Sequence, residues 1–240
     1  MPPVIAVVGV GPGLGAAVAQ RFAREGFAVA LLARSQASLD ATLPAVASQG
    51  AGKAPVLALP CDGTDAAAVR QAFQRIQKEL GAPSVLVYNA GAFHRGGILE
   101  LDPAQFEQSW RINCLGALLC AQQVLPAMLA AHAGTVLLTG ATASLRGSAG
   151  FASLAVGKFG LRALAQSMAR ELGPQGIHVA HVVVDGVINT PRTRSFMPAS
   201  RGDETFLAPE AIAETYWQLH AQPRSSWTLE LDVRPNVEKF

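Results

Sequence analysis

Val4-Ile5-Ala6-Val7-Val8-Gly9-Val10-Gly11-Pro12-Gly13-Leu14-Gly15-Ala16 is a run of five apolar residues followed by four glycines at alternate positions. The apolar run predicts a strand buried on both faces, and the alanine-rich stretch Gly13–Glu25 predicts a helix. Glycine permits positive φ in a tight turn and lets the backbone approach a ligand closely. A helix starting at such a turn offers unpaired N–H groups and the positive end of its dipole to an anion. Strand, glycine turn and helix in this order form the cradle for the pyrophosphate of a dinucleotide. Gly9, Gly11, Pro12, Gly13 and Leu14 are therefore candidate cofactor-binding residues. A ligand-free turn is the competing account, but four alternate glycines carry an entropic cost that a plain turn does not need.

The same rhythm continues outward. Ala28–Leu32, Pro55–Leu59, Ser84–Tyr88, Gly134–Thr139 and Ile177–Val184 read as further strands. Gln36–Ser48, Asp65–Leu80, Pro103–Ala131 and Gly150–Leu172 read as helices between them. Asp65 suits an N-cap, and Gly26 and Gly81 suit helix ends. Such alternation implies an α/β fold, a doubly wound parallel sheet with helices on both faces. No linker divides the chain, so residues 1–240 are expected to form one domain. The stretch Asn189–Leu207 breaks the rhythm with Pro191, Pro198, Arg192, Arg194 and Arg201. It predicts a long loop or a pair of short helices, placed as a lid. A helix, Pro209–Ala221, and a strand, Ser226–Val233, follow.

Composition narrows the function classes. Half of the residues are apolar, 15% are charged and the net charge is +2, so no strong field points to nucleic acid or to an anionic membrane. Cys61, Cys114 and Cys120 share no zinc-ligand spacing and read as small buried hydrophobes in a reducing compartment. No metal site is expected. Met1-Pro2-Pro3 leads into the first strand with no basic region, and Gly, Pro or charge interrupts each long apolar run. The expectation is a soluble, cytoplasmic protein without a membrane span.

The end of the second strand bears on the choice of cofactor. A carboxylate there bonds a ribose 2′-hydroxyl, whereas arginine accommodates a 2′-phosphate. The sequence is Ala33-Arg34-Ser35 with no carboxylate nearby, which favours NADP(H) over NAD(H). An ordinary surface arginine is the alternative.

Over nearly its whole length the chain resembles the short-chain dehydrogenase/reductase family. Val8, Gly9, Gly13 and Gly15 match the family's Thr-Gly-x3-Gly-x-Gly, with valine for threonine. Asp62 resembles the acidic position that faces adenine, and Asn89-Ala90-Gly91 the segment that supports the sheet beside the cofactor. Asn113 resembles the helix asparagine that helps hold a water in the family's proton relay. Asp185-Gly186-Val187-Ile188-Asn189-Thr190 resembles Pro-Gly-x3-Thr next to the nicotinamide, with aspartate for proline. The resemblance implies about seven strands, with the cofactor across their carboxyl ends. It also implies homodimers or homotetramers, which the largely apolar helices Pro103–Ala131 and Gly150–Leu172 suit.

The resemblance implies a catalytic Ser, Tyr and Lys, and here the chain departs from it. Lys158 fits the lysine, whose role is to tune the tyrosine and bond the nicotinamide ribose. Four residues earlier stands Leu154 instead of tyrosine, and thirteen before that Ala141 instead of serine. Phe151 occupies the alternative tyrosine position of some enoyl reductases, and the remaining tyrosines, Tyr88 and Tyr216, lie elsewhere. Carbonyl reduction needs a proton donor for the alkoxide it forms. Three accounts stay open. An activated C=C bond could be reduced with protonation at carbon from water; Ser144, Ser148 or Ser153 could replace the acid, although serine is a poor one; or the protein is a catalytically silent NADP(H)-binding sensor or partner subunit. The leading expectation is an NADP(H)-dependent oxidoreductase with a modified active site. It would transfer hydride to C=O or activated C=C of a small molecule, with Lys158 and Asn113 as the catalytic candidates.

Other residues compete less strongly. His94 in the loop after Gly91 is a secondary proton donor. His178 and His181 read as structural and His132 as a helix end. Asn113 is as consistent with mending a helix irregularity as with catalysis. The lid arginines suit an anionic substrate or the cofactor phosphates.

Overall fold

The computed structural model describes residues 1–50, 54–198, 200 and 202–238. Arg201, one of the lid arginines, lies outside the described residues. Strands β1 (Val4–Val8), β2 (Ala28–Ala33), β3 (Val56–Pro60), β4 (Val85–Tyr88), β5 (Gly134–Thr139), β6 (Ile177–Val184) and β9 (Glu230–Val233) make a seven-stranded sheet in the order β3-β2-β1-β4-β5-β6-β9. Every pairing in it is parallel. The order reverses at β1, so the crevice at the carboxyl ends of β1 and β4 is the switch point where such sheets bind ligands.

Alternation along each strand builds two cores. Val4, Ala6, Val8, Ala28, Ala30 and Leu32 face the layer of α3 (Ala66–Glu79), α5 (Gly116–Ala131) and α6 (Ala152–Leu172). Ile5, Val7, Val29 and Leu31 face α1 (Leu14–Arg24), α2 (Gln36–Ala47) and α8 (Pro209–His220). With both faces covered, these strands need no polar side, which is why they read as unbroken apolar runs. Each fully buried Val, Leu, Ile or Phe contributes about 1.5–3 kcal/mol. Asp65 caps α3, accepting from the N–H groups of Ala67 and Ala68. Gly26 and Gly81 sit at φ +84° and +104° behind α1 and α3, as helix-ending glycines do.

The structure differs from the sequence-based expectation in three places. Pro103–Ala131 is not one regular helix: α4 (Pro103–Trp110) passes through a π-turn, Arg111–Leu115, into α5. Within this 29-residue stretch, an uninterrupted apolar run has the length and composition of a bilayer span. The expected interruption fails because Glu107 and Arg111 lie in the first third of the stretch and Pro126 is accommodated within α5. Its Ala117, Cys120, Ala121, Val124 and Met128 pack into the sheet's core. The last strand is shorter than expected, starting at Glu230 after a 3-10 turn, Arg224–Ser226. The segment Asn189–Leu207 does hold a short helix, α7 (Pro191–Phe196), and a 3-10 turn, Asp203–Thr205. It is also pinned by a two-residue parallel pair that the sequence pattern does not reveal, β7 (Val187–Ile188) with β8 (Phe206–Leu207).

Candidate active site

The glycine turn is built by close backbone approach. Gly9 has φ +89°, and a Cβ there would lie 2.3 Å from the Ala90 nitrogen. The Gly9 and Val10 N–H groups both donate to the Leu32 carbonyl, at 2.9 and 3.1 Å. Asn89 Nδ2 donates to the Gly9 carbonyl at 2.9 Å and its backbone N–H to Val8, tying the end of β4 to the turn. A Cβ on Gly15 would meet the Gly9 carbonyl at 2.7 Å, so α1 packs directly on the turn. Gly11, by contrast, has open space around its missing Cβ. No side chain caps α1. Its first N–H groups therefore stay available to an anion. Leu14, a candidate by position, is buried and belongs to the core under the turn.

From this turn a cleft of about 340 Å³ runs along the carboxyl ends of β1, β2 and β4. Gly9, Gly11, Pro12, Arg34, Asp62, Asn89, Ala90 and Gly91 line it. Arg34 is exposed at the end of β2. Ser35 and Ser38, on the first turn of α2, border the cleft beside it and were not singled out in the sequence. The signal for them was local: Ser35 is the N-cap of α2, accepting from the Ser38 N–H. Asp62 Oδ1 accepts from both the N–H (2.9 Å) and the hydroxyl (2.8 Å) of Thr64. Arg192 reaches the cleft from α7. Arg194 is committed within its own segment, to Asn189 at 2.6 Å, to Asp203 at 2.7 Å and over the Phe206 ring.

The segment Asp185–Thr190, expected to bind the cofactor, lies beside the glycine turn but outside the residues that line this cleft. A Cβ on Gly13 would lie 2.8 Å from Thr190 Cγ2, so this loop abuts the glycine turn. Gly186 (φ +153°) packs against Pro235 and Leu207, and Val187 pairs with Phe206. Asp185 is buried, accepts a hydrogen bond from Thr142 Oγ1 and lies 3.5 Å from Arg234 Nη2.

Lys158 and Asn113 converge near Gly91, whose missing Cβ would lie 3.4 Å from Asn113 Oδ1 and 3.9 Å from Lys158 Nζ. Lys158 Nζ donates to the Thr139 carbonyl at 2.7 Å and is only 5% exposed. Burial lowers its pKa from the ordinary 10.5 to about 8, with the neighbouring Cys114 opposing the fall. Asn113 stands inside the π-turn. Its Nδ2 donates to the Ser109 carbonyl (2.9 Å), the acceptor of its own preceding turn, and to the Ala92 carbonyl (2.8 Å). It therefore mends the helix irregularity and fastens the Gly91–Ala92 segment to it. Gly157 lets α6 pass over it, since a Cβ there would meet Asn113 Cβ at 2.6 Å.

None of the tyrosines can act as the acid in this arrangement. Tyr88 is buried and donates to the Ile112 carbonyl at 2.6 Å, and burial holds its pKa well above 10. Tyr216 is buried against Thr139 Oγ1 at 2.8 Å. Ser153 donates to the His94 carbonyl at 2.9 Å. Ser144 is fully buried, accepts from the Ala141 N–H at 3.1 Å and lies 3.3 Å from His181 Nε2, whose other nitrogen pairs with Glu230 at 2.9 Å. Ser148 and His94 are exposed, and Phe151 stacks on Phe93 with centroids 4.7 Å apart. His178 is buried beneath Trp227, and His132 ends α5 at φ 49°.

The sequence profile of the short chain dehydrogenases matches residues 3–201. A 3-oxoacyl-[acyl-carrier-protein] reductase MabA of Mycobacterium bovis is 31% identical over 225 residues, covering 86% of this chain and 85% of that protein. The human 3-oxoacyl-[acyl-carrier-protein] reductase is 28% identical, covering 88% and 90%. Among solved structures, a short-chain dehydrogenase from Rhodopseudomonas palustris is 36% identical, with a TM-score of 0.80 over 97% of this chain and 98% of that one. A metagenomic short-chain oxidoreductase in complex with NADP is 27% identical, with a TM-score of 0.82 over 98% of each chain. With the parallel sheet, the glycine turn and the match over most of its length, the chain belongs to the short-chain dehydrogenase family.

Proposed function

We propose that this chain is an NADP(H)-dependent oxidoreductase acting on a small molecule, with an active site modified at Ala141 and Leu154. The observation that carries the proposal is the cleft from the Gly9 turn to Arg34, in which Ala90 and Gly9 approach more closely than any Cβ permits. The residues fit the cofactor. The α1 N-terminus and the open side of Gly11 suit a pyrophosphate. Arg34, with Ser35 and Ser38, offers charged and hydroxyl donors for a 2′-phosphate. Asn89, Ala90 and Gly91 border its path, and Lys158 and Asn113 stand just behind Gly91. When bound, NADP(H) supplies or accepts the hydride; the chain's own residues bind, orient and handle protons. With Ala141 and Leu154 unable to donate, carbonyl chemistry needs another group to handle the proton, whereas hydride transfer to an activated C=C bond needs no alkoxide acid. The exposed apolar residues Trp110, Leu118, Val156 and Phe159 on the α4–α6 layer support a homo-oligomer.

Titration of the purified chain with NADPH and NADH, followed by cofactor fluorescence, tests the proposal. NADPH is expected to bind in the micromolar range and NADH at least ~10-fold more weakly, as loss of a charge-assisted contact implies. Binding of neither would remove it. Arg34→Asp is expected to move the preference ~10- to 100-fold toward NADH, because a carboxylate repels the 2′-phosphate and accepts from a 2′-hydroxyl. An unchanged preference would return Arg34 to an ordinary surface role. Tight NADPH binding with no turnover of any enone or carbonyl is the result a silent sensor would give.

A further inference from the structure

Two departures from the family pattern meet in space. Asp185 stands where the pattern has proline, and Thr142 follows the alanine that stands where it has serine. Although they lie 43 positions apart, Thr142 Oγ1 donates its hydrogen bond to Asp185 Oδ1. The contact bridges the carboxyl ends of β5 and β6, and Asp185 is 7% exposed. Arg234 faces Asp185 but also pairs with Asp232, so Asp185 shares this guanidinium with a second carboxylate. Lys158, beyond the end of β5, is turned to the Thr139 carbonyl.

A hydroxyl whose proton is committed to a carboxylate has only lone pairs left to offer. A carbonyl oxygen finds no donor in it, whereas an O–H group finds an acceptor. We propose that Thr142 and Asp185 are the proton-accepting pair of this site, fitted to an alcohol and to the oxidised dinucleotide. The inference rests on the cofactor assignment above and gives it a direction. In the oxidation, the alcohol's O–H proton goes to Thr142 Oγ1 as the proton of Thr142 goes to Asp185 Oδ1. When bound, the oxidised dinucleotide would supply the acceptor for the C–H hydrogen and its electron pair, so that the carbonyl forms. The charge of Asp185 distinguishes the two cofactor forms, since the oxidised ring is cationic and the reduced ring neutral.

The test is titration of the full chain and its variants with NADP+ and with NADPH. Asp185→Asn keeps an oxygen for Thr142 and removes only the charge. It is expected to weaken NADP+ relative to NADPH ~10-fold, as losing one partly screened charge implies. Arg234→Gln is expected to shift the ratio the opposite way, so the proposal does not depend on one variant folding. Thr142→Val keeps the charge and is expected to leave the ratio within ~2-fold. With NADP+ and secondary alcohols such as 2-butanol and 1-phenylethanol, Thr142→Val is expected to slow turnover at least ~10-fold, with rescue by Thr142→Ser. If both cofactors bind and neither charge variant moves the ratio, the pair has no such role and the cofactor assignment stands. Ketone reduction by NADPH untouched by Thr142→Val would overturn the pair as well. If the unaltered chain binds neither cofactor, both inferences fall together.

Discussion

Gly9→Ala is expected to lose dinucleotide binding and to lower stability by roughly 3–4 kcal/mol. Two effects add. The residue sits at φ +89°, where an L side chain is strained by about 1–2 kcal/mol. Its new methyl would also stand 2.3 Å from the Ala90 nitrogen and 2.5 Å from the Ala90 Cα. These are backbone atoms, so no rotamer change relieves the contact; β4 must move away from the turn, breaking the Asn89–Gly9 hydrogen bond. For a chain of this size the loss corresponds to a fall in Tm of roughly 10 °C. Gly11→Ala is the matched control: its Cβ meets nothing, so Tm should hold while affinity falls ~10-fold as the methyl occupies space meant for the ligand. Calorimetry and cofactor titration on both variants separate the two roles. A Gly9→Ala protein with unchanged Tm would mean that the approach of Ala90 is not a constraint.

What the sequence made legible follows from the range over which each feature is encoded. The strands were readable because burial on both faces removes the polar positions that would confuse the pattern: β1, β2 and β6 are buried at every residue. The glycine turn was readable because its requirements are local. The π-turn at Arg111–Leu115 was not, since one extra residue per turn leaves the apolar spacing of a long helix nearly intact; the only hint was a polar Asn113 in an apolar setting. The β7–β8 pair was hidden for a different reason. Two residues per strand carry no period at all, and their pairing depends on how the segment between them folds back. Arg34 could be located from its place at the end of β2, and Lys158 only through the family's spacing. The partnership of Thr142 with Asp185 could not, because it joins two loops whose proximity is a property of the sheet order. The absence of the family's Ser and Tyr was therefore legible in the sequence, but only the fold located the groups that stand near those positions.

Lys158→Met carries the other large effect, and it runs in opposite directions for stability and binding. Folding moves the lysine's pKa from 10.5 to about 8, because its ammonium leaves water for a buried site with one carbonyl partner. The folded state thus holds the proton less tightly than the unfolded state. Between about pH 8 and 10.5 the unfolded chain binds more protons, so stability rises with pH across that window, and below it the full penalty applies. A shift of this size corresponds to about 3 kcal/mol at neutral pH. Methionine removes that penalty and leaves the Thr139 carbonyl without its donor, which costs about 1–2 kcal/mol. The ligand-free variant should therefore be about 1–2 kcal/mol more stable at pH 7, and the advantage should vanish or reverse by pH 10.5 as the wild-type lysine discharges. Cofactor affinity should move the other way, falling at least ~10-fold with loss of a donor beside Gly91. Denaturant unfolding at several pH values, paired with NADPH titration, measures both. A variant that is less stable at every pH would show that the ammonium is well solvated in the folded chain. A more stable variant that binds NADPH as before would confine Lys158 to a structural burden. Stability gained together with affinity lost is what a buried charge kept for a ligand should give, since its desolvation is offset only when the ligand is present.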